Sequence, residues 1–162
     1  MKNIFLLRHA HSDPNAENDF DRPLNGEGIV KCQNISTNIE PYFNQIDLIM
    51  SSPAFRTKQT IENVISLLKQ NVNKVIYKKE LYSASVNELF QQIATIDDKY
   101  QTIMIVSHNP AISQLAMFLD KKNLSPQIIQ GFSPGSLALF ENTIEFWSEL
   151  SYKNATLKEF WR

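Results

Sequence analysis

Ile4-Phe5-Leu6-Leu7-Arg8-His9-Ala10-His11-Ser12 is the stretch on which the fold turns: four apolar residues without a break, then a sudden change to cationic and polar ones. A run so short and continuous reads as a strand buried on both faces, as strands of parallel sheets are, and polar chemistry begins where it stops. The pattern recurs twice. Ile46 to Met50 runs into Ser51-Ser52-Pro53, with Arg56 one turn later, and Thr102 to Val106 runs into Ser107-His108-Asn109-Pro110.

Between these strands the apolar spacing changes to that of helices. After an Asn-, Asp- and Pro-rich loop from Asp13 to Asn25, Cys32, Ile35, Ile39 and Phe43 mark one helix face, with Cys32 near its start and Pro41 near its end. Ser52-Pro53 predicts an N-cap followed by proline at the first helical position, leading into Ile61, Val64, Ile65 and Leu68. Asn109-Pro110 repeats that signal ahead of Ile112, Leu115, Ala116 and Leu119. Val75-Ile76-Tyr77 reads as a further strand, and Leu89, Phe90, Ile93 and Ile96 as a further helical stripe. Two late apolar segments, Ser136 to Phe140 and Thr143 to Leu150, are predicted to pair as a hairpin through Glu141-Asn142. Phe160-Trp161 is expected to pack back on the sheet. Strands alternating with helices give an α/β fold: a three-layer αβα sandwich around a mostly parallel sheet with an antiparallel edge. With no linker, repeat or low-complexity run, residues 1–162 are expected to form a single domain.

Composition narrows the functional classes. The chain has 162 residues, 43% of them apolar, with 16 basic against 17 acidic side chains. It is long enough for a core without disulfide or metal, which excludes disorder and mini-protein scaffolds. A net charge of -1 supplies no basic field for nucleic acid or anionic lipid. Cys32 is the one cysteine and reads as a buried structural thiol. Without a membrane-spanning run or a signal-peptide pattern, a reducing cytoplasm is the expectation, as is a monomer.

Ligands of such folds sit beyond the carboxyl ends of the parallel strands. Those ends carry Arg8, Arg56 and all three histidines, His9, His11 and His108. Taken singly, an arginine or histidine at a strand end is more often a solvated cap than a catalyst. Their coincidence on one edge favours function, and guanidinium forks beside helix N-termini suit a tetrahedral oxyanion such as phosphate.

Leu7-Arg8-His9-Ala10, Ser51-Ser52-Pro53-Ala54-Phe55-Arg56-Thr57-Lys58-Gln59-Thr60 and Val106-Ser107-His108-Asn109-Pro110 resemble, in order and separation, the signature blocks of the histidine phosphatase superfamily, with its phosphoglycerate mutase-like fold. The short length and Asp19-Phe20-Asp21-Arg22-Pro23-Leu24-Asn25-Gly26 resemble the SixA-type phosphohistidine phosphatases. The resemblance implies a phosphatase without metal or cofactor, in which His9 attacks phosphorus and Arg8, Arg56 and His108 hold the non-bridging oxygens. Arg22 and Ser12 would add contacts from the covering loop, and Asn15 is a further candidate donor. Glu80 is the nearest match to the family's acid after the third strand; the alternative aspartate position, after the second histidine, holds Asn109. His11 takes no role from the resemblance. The implied substrate is a phosphohistidine on a partner such as a histidine phosphotransfer protein. A general phosphomonoesterase and a catalytically silent phosphate-binding module are the alternatives.

Overall fold

The computed structural model describes residues 1–68, 75–122 and 125–162. Six strands form one sheet: β1 Lys2–Arg8, β2 Leu48–Ser51, β3 Val75–Tyr77, β4 Thr102–Ser107, β5 Leu137–Asn142 and β6 Thr156–Trp161, in the order β3-β2-β4-β1-β5-β6. The pairs β2–β3, β2–β4 and β1–β4 are parallel, while β5 runs antiparallel to both β1 and β6. Among the described residues five helices complete the fold: α1 Gly26–Ile39, α2 Phe55–Leu68, α3 Val86–Ala94, α4 Ala111–Leu119 and α5 Pro126–Ile129.

The side-chain period of a strand divides the core into two layers. Ile4 and Leu6 of β1, with Ile103 and Ile105 of β4, face α3 and α4 through Leu89, Ile93, Ile112 and Leu115. Phe5 and Leu7, with Met104 and Val106, face α1 and α2 through Cys32, Ile35, Ile61 and Val64. Helices on both faces of a mostly parallel sheet make the three-layer αβα sandwich. No helix among the described residues is long and apolar enough to cross a membrane.

Several local expectations give way to tertiary packing. α1 begins at Gly26, where Asn25 Oδ1 accepts from Gly28 N at 2.9 Å, so Cys32 lies in mid-helix; Phe43 falls in a 3₁₀ turn beyond it. Pro53 is not at the first position of α2, which starts at Phe55; the Phe55 amide donates to Phe20 O at 2.9 Å, tying the helix start to the loop. Pro110 is itself the N-cap of α4, after a cis peptide, and Asn109 turns aside to donate to Phe132 O at 2.9 Å. The hairpin through Glu141-Asn142 does not form, because both residues belong to β5 and pair with β1. Within the second segment Trp147 is a buried plug: its backbone N–H donates to Asp98 Oδ1 at 2.7 Å and its indole to Tyr100 O at 2.9 Å. The antiparallel partner of β5 is instead β6, whose Phe160 and Trp161 pack against opposite core layers.

Candidate active site

At the carboxyl ends of β1 and β4 lies a cavity of about 610 Å³. Arg8, His9, His11 and Ser12 enter it from the end of β1, Asp19 and Arg22 from the loop before α1, and Arg56 from the first turn of α2. Tyr82 and Ser83 come from the segment after β3, His108 and Asn109 from the end of β4, and Pro134 from the turn before β5. Register explains the convergence: Leu7 pairs with Val106 and Arg8 with Ser107, so two adjacent parallel strands end level and His9 and His108 emerge side by side. Their ring centroids are 5.1 Å apart.

The ring orientations follow from the partners' chemistry. His9 Nδ1 lies 2.7 Å from the Ala10 carbonyl oxygen, which can only accept, so Nδ1 carries the hydrogen. Arg56 Nε, which can only donate, lies 3.3 Å from His9 Nε2, so Nε2 presents its lone pair. By the same argument His108 Nδ1 is an acceptor from Arg56 Nη2 at 3.2 Å, and His108 Nε2 donates to Ser52 Oγ at 2.8 Å. Thr60 supports this arrangement from below: its hydroxyl accepts from Ala10 N at 3.1 Å and donates to Arg56 O at 2.7 Å.

Burial keeps both imidazoles neutral. It is the chief cause lowering His9 to about 4, with the Ala10 carbonyl pulling the other way and the cations of Arg56, Arg8 and Arg22 adding to the fall. His108 is lowered to about 3 by burial and then by His9 and Arg56. The Arg8 guanidinium donates from Nη1 to Phe132 O at 2.7 Å, but its buried Nε finds no protein partner. Among the described residues no three His, Cys, Asp or Glu side chains group as a metal site.

The structure therefore brings Arg8, His9, Arg56, His108, Arg22 and Ser12 to one cavity. It leaves Glu80 outside: the residue sits exposed in a 3₁₀ turn, Lys79–Leu81, and Tyr82 and Ser83 occupy the wall instead. Asn15 also stays outside, its amide folded onto Asp13 Oδ1 at 2.8 Å.

Two lining residues escape a reading of the sequence. The Asp19 carboxylate accepts from Tyr82 Oη at 2.7 Å, Arg56 Nη2 at 3.0 Å and Arg22 Nη1 at 3.1 Å. These bonds, led by Tyr82, hold it down to about 2. Phe20 meets the Tyr82 ring edge-on at 5.0 Å, and Tyr82 meets His108 at 5.6 Å, so the loop is latched across the cavity wall. The only hint in the sequence was Asp19's place beside the Arg-Pro-Leu segment.

Known proteins share both the sequence pattern and the fold. The description of the histidine phosphatase superfamily (branch 1) matches residues 4–86. An uncharacterised protein of Mycobacterium leprae is 27% identical over 162 residues, spanning 95% of this chain and 98% of its own. A solved structure assigned as phosphohistidine phosphatase SixA from Agrobacterium tumefaciens superposes with a TM-score of 0.82 at 27% identity, over 99% of this chain and 97% of that one. A protein histidine phosphatase SixA complexed with tungstate shares the fold with a TM-score of 0.75 at 19% identity, over 98% and 95% of the two chains. Fold, block order and family match agree, and the chain belongs to the histidine phosphatase superfamily as a SixA-like member.

Proposed function

We propose that this phosphatase works without metal through a phosphohistidine formed on His9 Nε2, and that its substrate is a phosphohistidine on a partner protein. The observation that carries the mechanism is the fixed tautomer of His9: Nδ1–H bound to the Ala10 carbonyl, Nε2 unprotonated and accepting from Arg56 Nε. A neutral ring is the nucleophilic one, and burial keeps it neutral. As Nε2 bonds to phosphorus the ring gains positive charge, which the Ala10 carbonyl at Nδ1 is placed to stabilise. Arg8, Arg56 and Arg22 surround the region where the equatorial oxygens would lie, the electrostatic positioning on which phosphoryl transfer chiefly depends. His108 is neutral in the free protein; an arriving dianion favours its protonation and recruits it as a further donor. Tungstate in a SixA of the same fold is consistent with an oxyanion pocket here, since tungstate has the tetrahedral shape and charge of phosphate.

The chemistry of the described lining residues supports this substrate class. Glu80 is away from the cavity, the position after His108 is Asn109, and Asp19 is held ionised. A site without a carboxylic acid favours a leaving group of modest basicity, and imidazole, with a reference pKa of about 6.5, is far less basic than an alkoxide. Incubation with labelled acetyl phosphate or a phosphorylated phosphotransfer domain tests both levels. Acid-labile label on the wild type and none on His9→Ala supports the mechanism; neither label nor hydrolysis overturns it in favour of a silent binding module. Hydrolysis of small esters at enzyme levels that leave the phosphorylated domain intact overturns the substrate assignment.

A further inference from the structure

The geometry points to His11 as the proton donor to the leaving group, an assignment that rests on the His9 mechanism proposed above. His9 lies at the floor of the cavity, 8% exposed. In-line displacement therefore sends the departing atom outward, towards the mouth. His11 lines the same cavity with a side chain that is 41% exposed, and its Nδ1 stands 3.6 Å from Glu27 Oε2. No hydrogen bond within the described residues engages its Nε2.

Among the described residues, the wall's other carboxyl, phenol and imidazole groups are committed, and the alcohol hydroxyls of Ser12 and Ser83 are far weaker acids than an imidazolium. Asp19 is ionised, and the Tyr82 hydroxyl spends its proton on Asp19 while that bond raises the phenol's own pKa. His108 directs its N–H to buried Ser52.

The position of His11 is also fixed rather than incidental. Its carbonyl accepts from Asn25 N at 3.1 Å, and a Cβ on Gly28 would stand only 2.1 Å from that oxygen, so the first turn of α1 is pressed onto the His11 backbone. Glu27 belongs to that turn, which sets its carboxylate beside the His11 imidazole. A donor whose backbone is pressed against a helix turn starts from a fixed position, which favours the alignment that proton transfer requires.

The step balances as follows. His9 Nε2 forms its bond to phosphorus while the bond from phosphorus to the leaving nitrogen or oxygen breaks, and the leaving atom takes the proton from the His11 imidazolium. In the second half, water attacks the phosphohistidine, neutral His11 accepts a proton from that water, and His9 Nε2 recovers its lone pair. Product release leaves both rings as they began.

The test compares kcat/KM, which reports the first transfer, for phenyl phosphate and 2,4-dinitrophenyl phosphate. Phenolate has the basicity of a tyrosine side chain, pKa about 10, and needs the proton; dinitrophenolate leaves largely without help. In His11→Gln, kcat/KM for phenyl phosphate is expected to fall about 10²-fold, the scale of general acid catalysis. The ratio between the two esters is expected to rise by about tenfold or more, and added imidazole to restore part of the loss in His11→Ala. Equal losses on both esters, or none, overturn the assignment while leaving the His9 mechanism standing. Wild-type protein with no His9-dependent turnover of either ester overturns that mechanism, and the assignment with it.

Discussion

Replacing Thr60 by valine removes one hydroxyl from a fully buried position and nothing of comparable size. Among the described residues that hydroxyl is the one hydrogen-bond acceptor of Ala10 N, at 3.1 Å, and Ala10 O in turn fixes the tautomer of His9. An orphaned buried N–H costs about 1–3 kcal/mol. Valine returns part of this, up to about 1 kcal/mol, by putting a methyl where a polar group was buried. The net loss is about 1–2 kcal/mol, or roughly 2–8 °C in melting temperature for a chain of this size. Activity should suffer more than stability. An ångström of drift in a reacting group can cost about 10²-fold, and Ala10 without its anchor is free to drift by a fraction of that. The assay is urea denaturation together with His9-dependent turnover, with Thr60→Ser as the control that keeps the hydroxyl. Stability and turnover of Thr60→Val within error of wild type, or a Thr60→Ser as damaged as Thr60→Val, would refute the reasoning.

Gly28→Ala places a methyl 2.1 Å from the His11 carbonyl oxygen, a backbone atom that cannot rotate away. The expected cost is about 1–3 kcal/mol, read as a lower urea midpoint, and an unchanged midpoint would remove the close approach from the account. Acidification should destabilise the protein in two windows. Because His9 and His108 are lowered to about 4 and about 3, the unfolded chain binds protons that the native one refuses, so stability falls as pH drops from about 6.5 towards 4 for His9 and towards 3 for His108. Asp19, lowered to about 2, adds a separate loss between about 4 and 2. Urea midpoints measured across pH 7 to 5 should decline in the wild type and decline less in His9→Gln; parallel slopes would show that His9 is not the source.

The parts of the site that lie on strand ends were legible because burial writes itself into sequence. An unbroken apolar run locates β1 and β4, and the residue after each run is necessarily at the ligand edge; Arg8, His9 and His108 follow from that alone. Arg56 follows from its distance along α2, the helix that succeeds the second run. Asp19 and Tyr82 carry no such mark, since their partners come from segments 37 and 63 residues away and obey no period. Glu80 failed for a related reason. Only Leu81 separates it from Tyr82, and at the end of a 3₁₀ turn that small step moves a side chain from solvent to the cavity wall. The misplaced hairpin shows the limit of hydrophobicity itself, because Trp147 is as apolar as a strand residue but is buried by two hydrogen bonds to another loop. Proline likewise marked where helices begin without fixing the first helical residue, as both Pro53 and Pro110 lie before it.

Cys32 has one more consequence. It is the only thiol in the chain, wholly enclosed on the inner face of α1, with Sγ donating to Thr60 O at 3.9 Å and its pKa raised by burial to about 11. A thiol that is both hidden and protonated does not react with a maleimide or an aromatic disulfide while the fold is closed. Its labelling rate is thus a clock, ticking only when the layer of α1 and α2 lifts from the sheet. Since Thr60 carries both this contact and the support beneath His9, the clock reads the opening of the platform on which the nucleophile stands, in the unmodified protein and with no engineered dye.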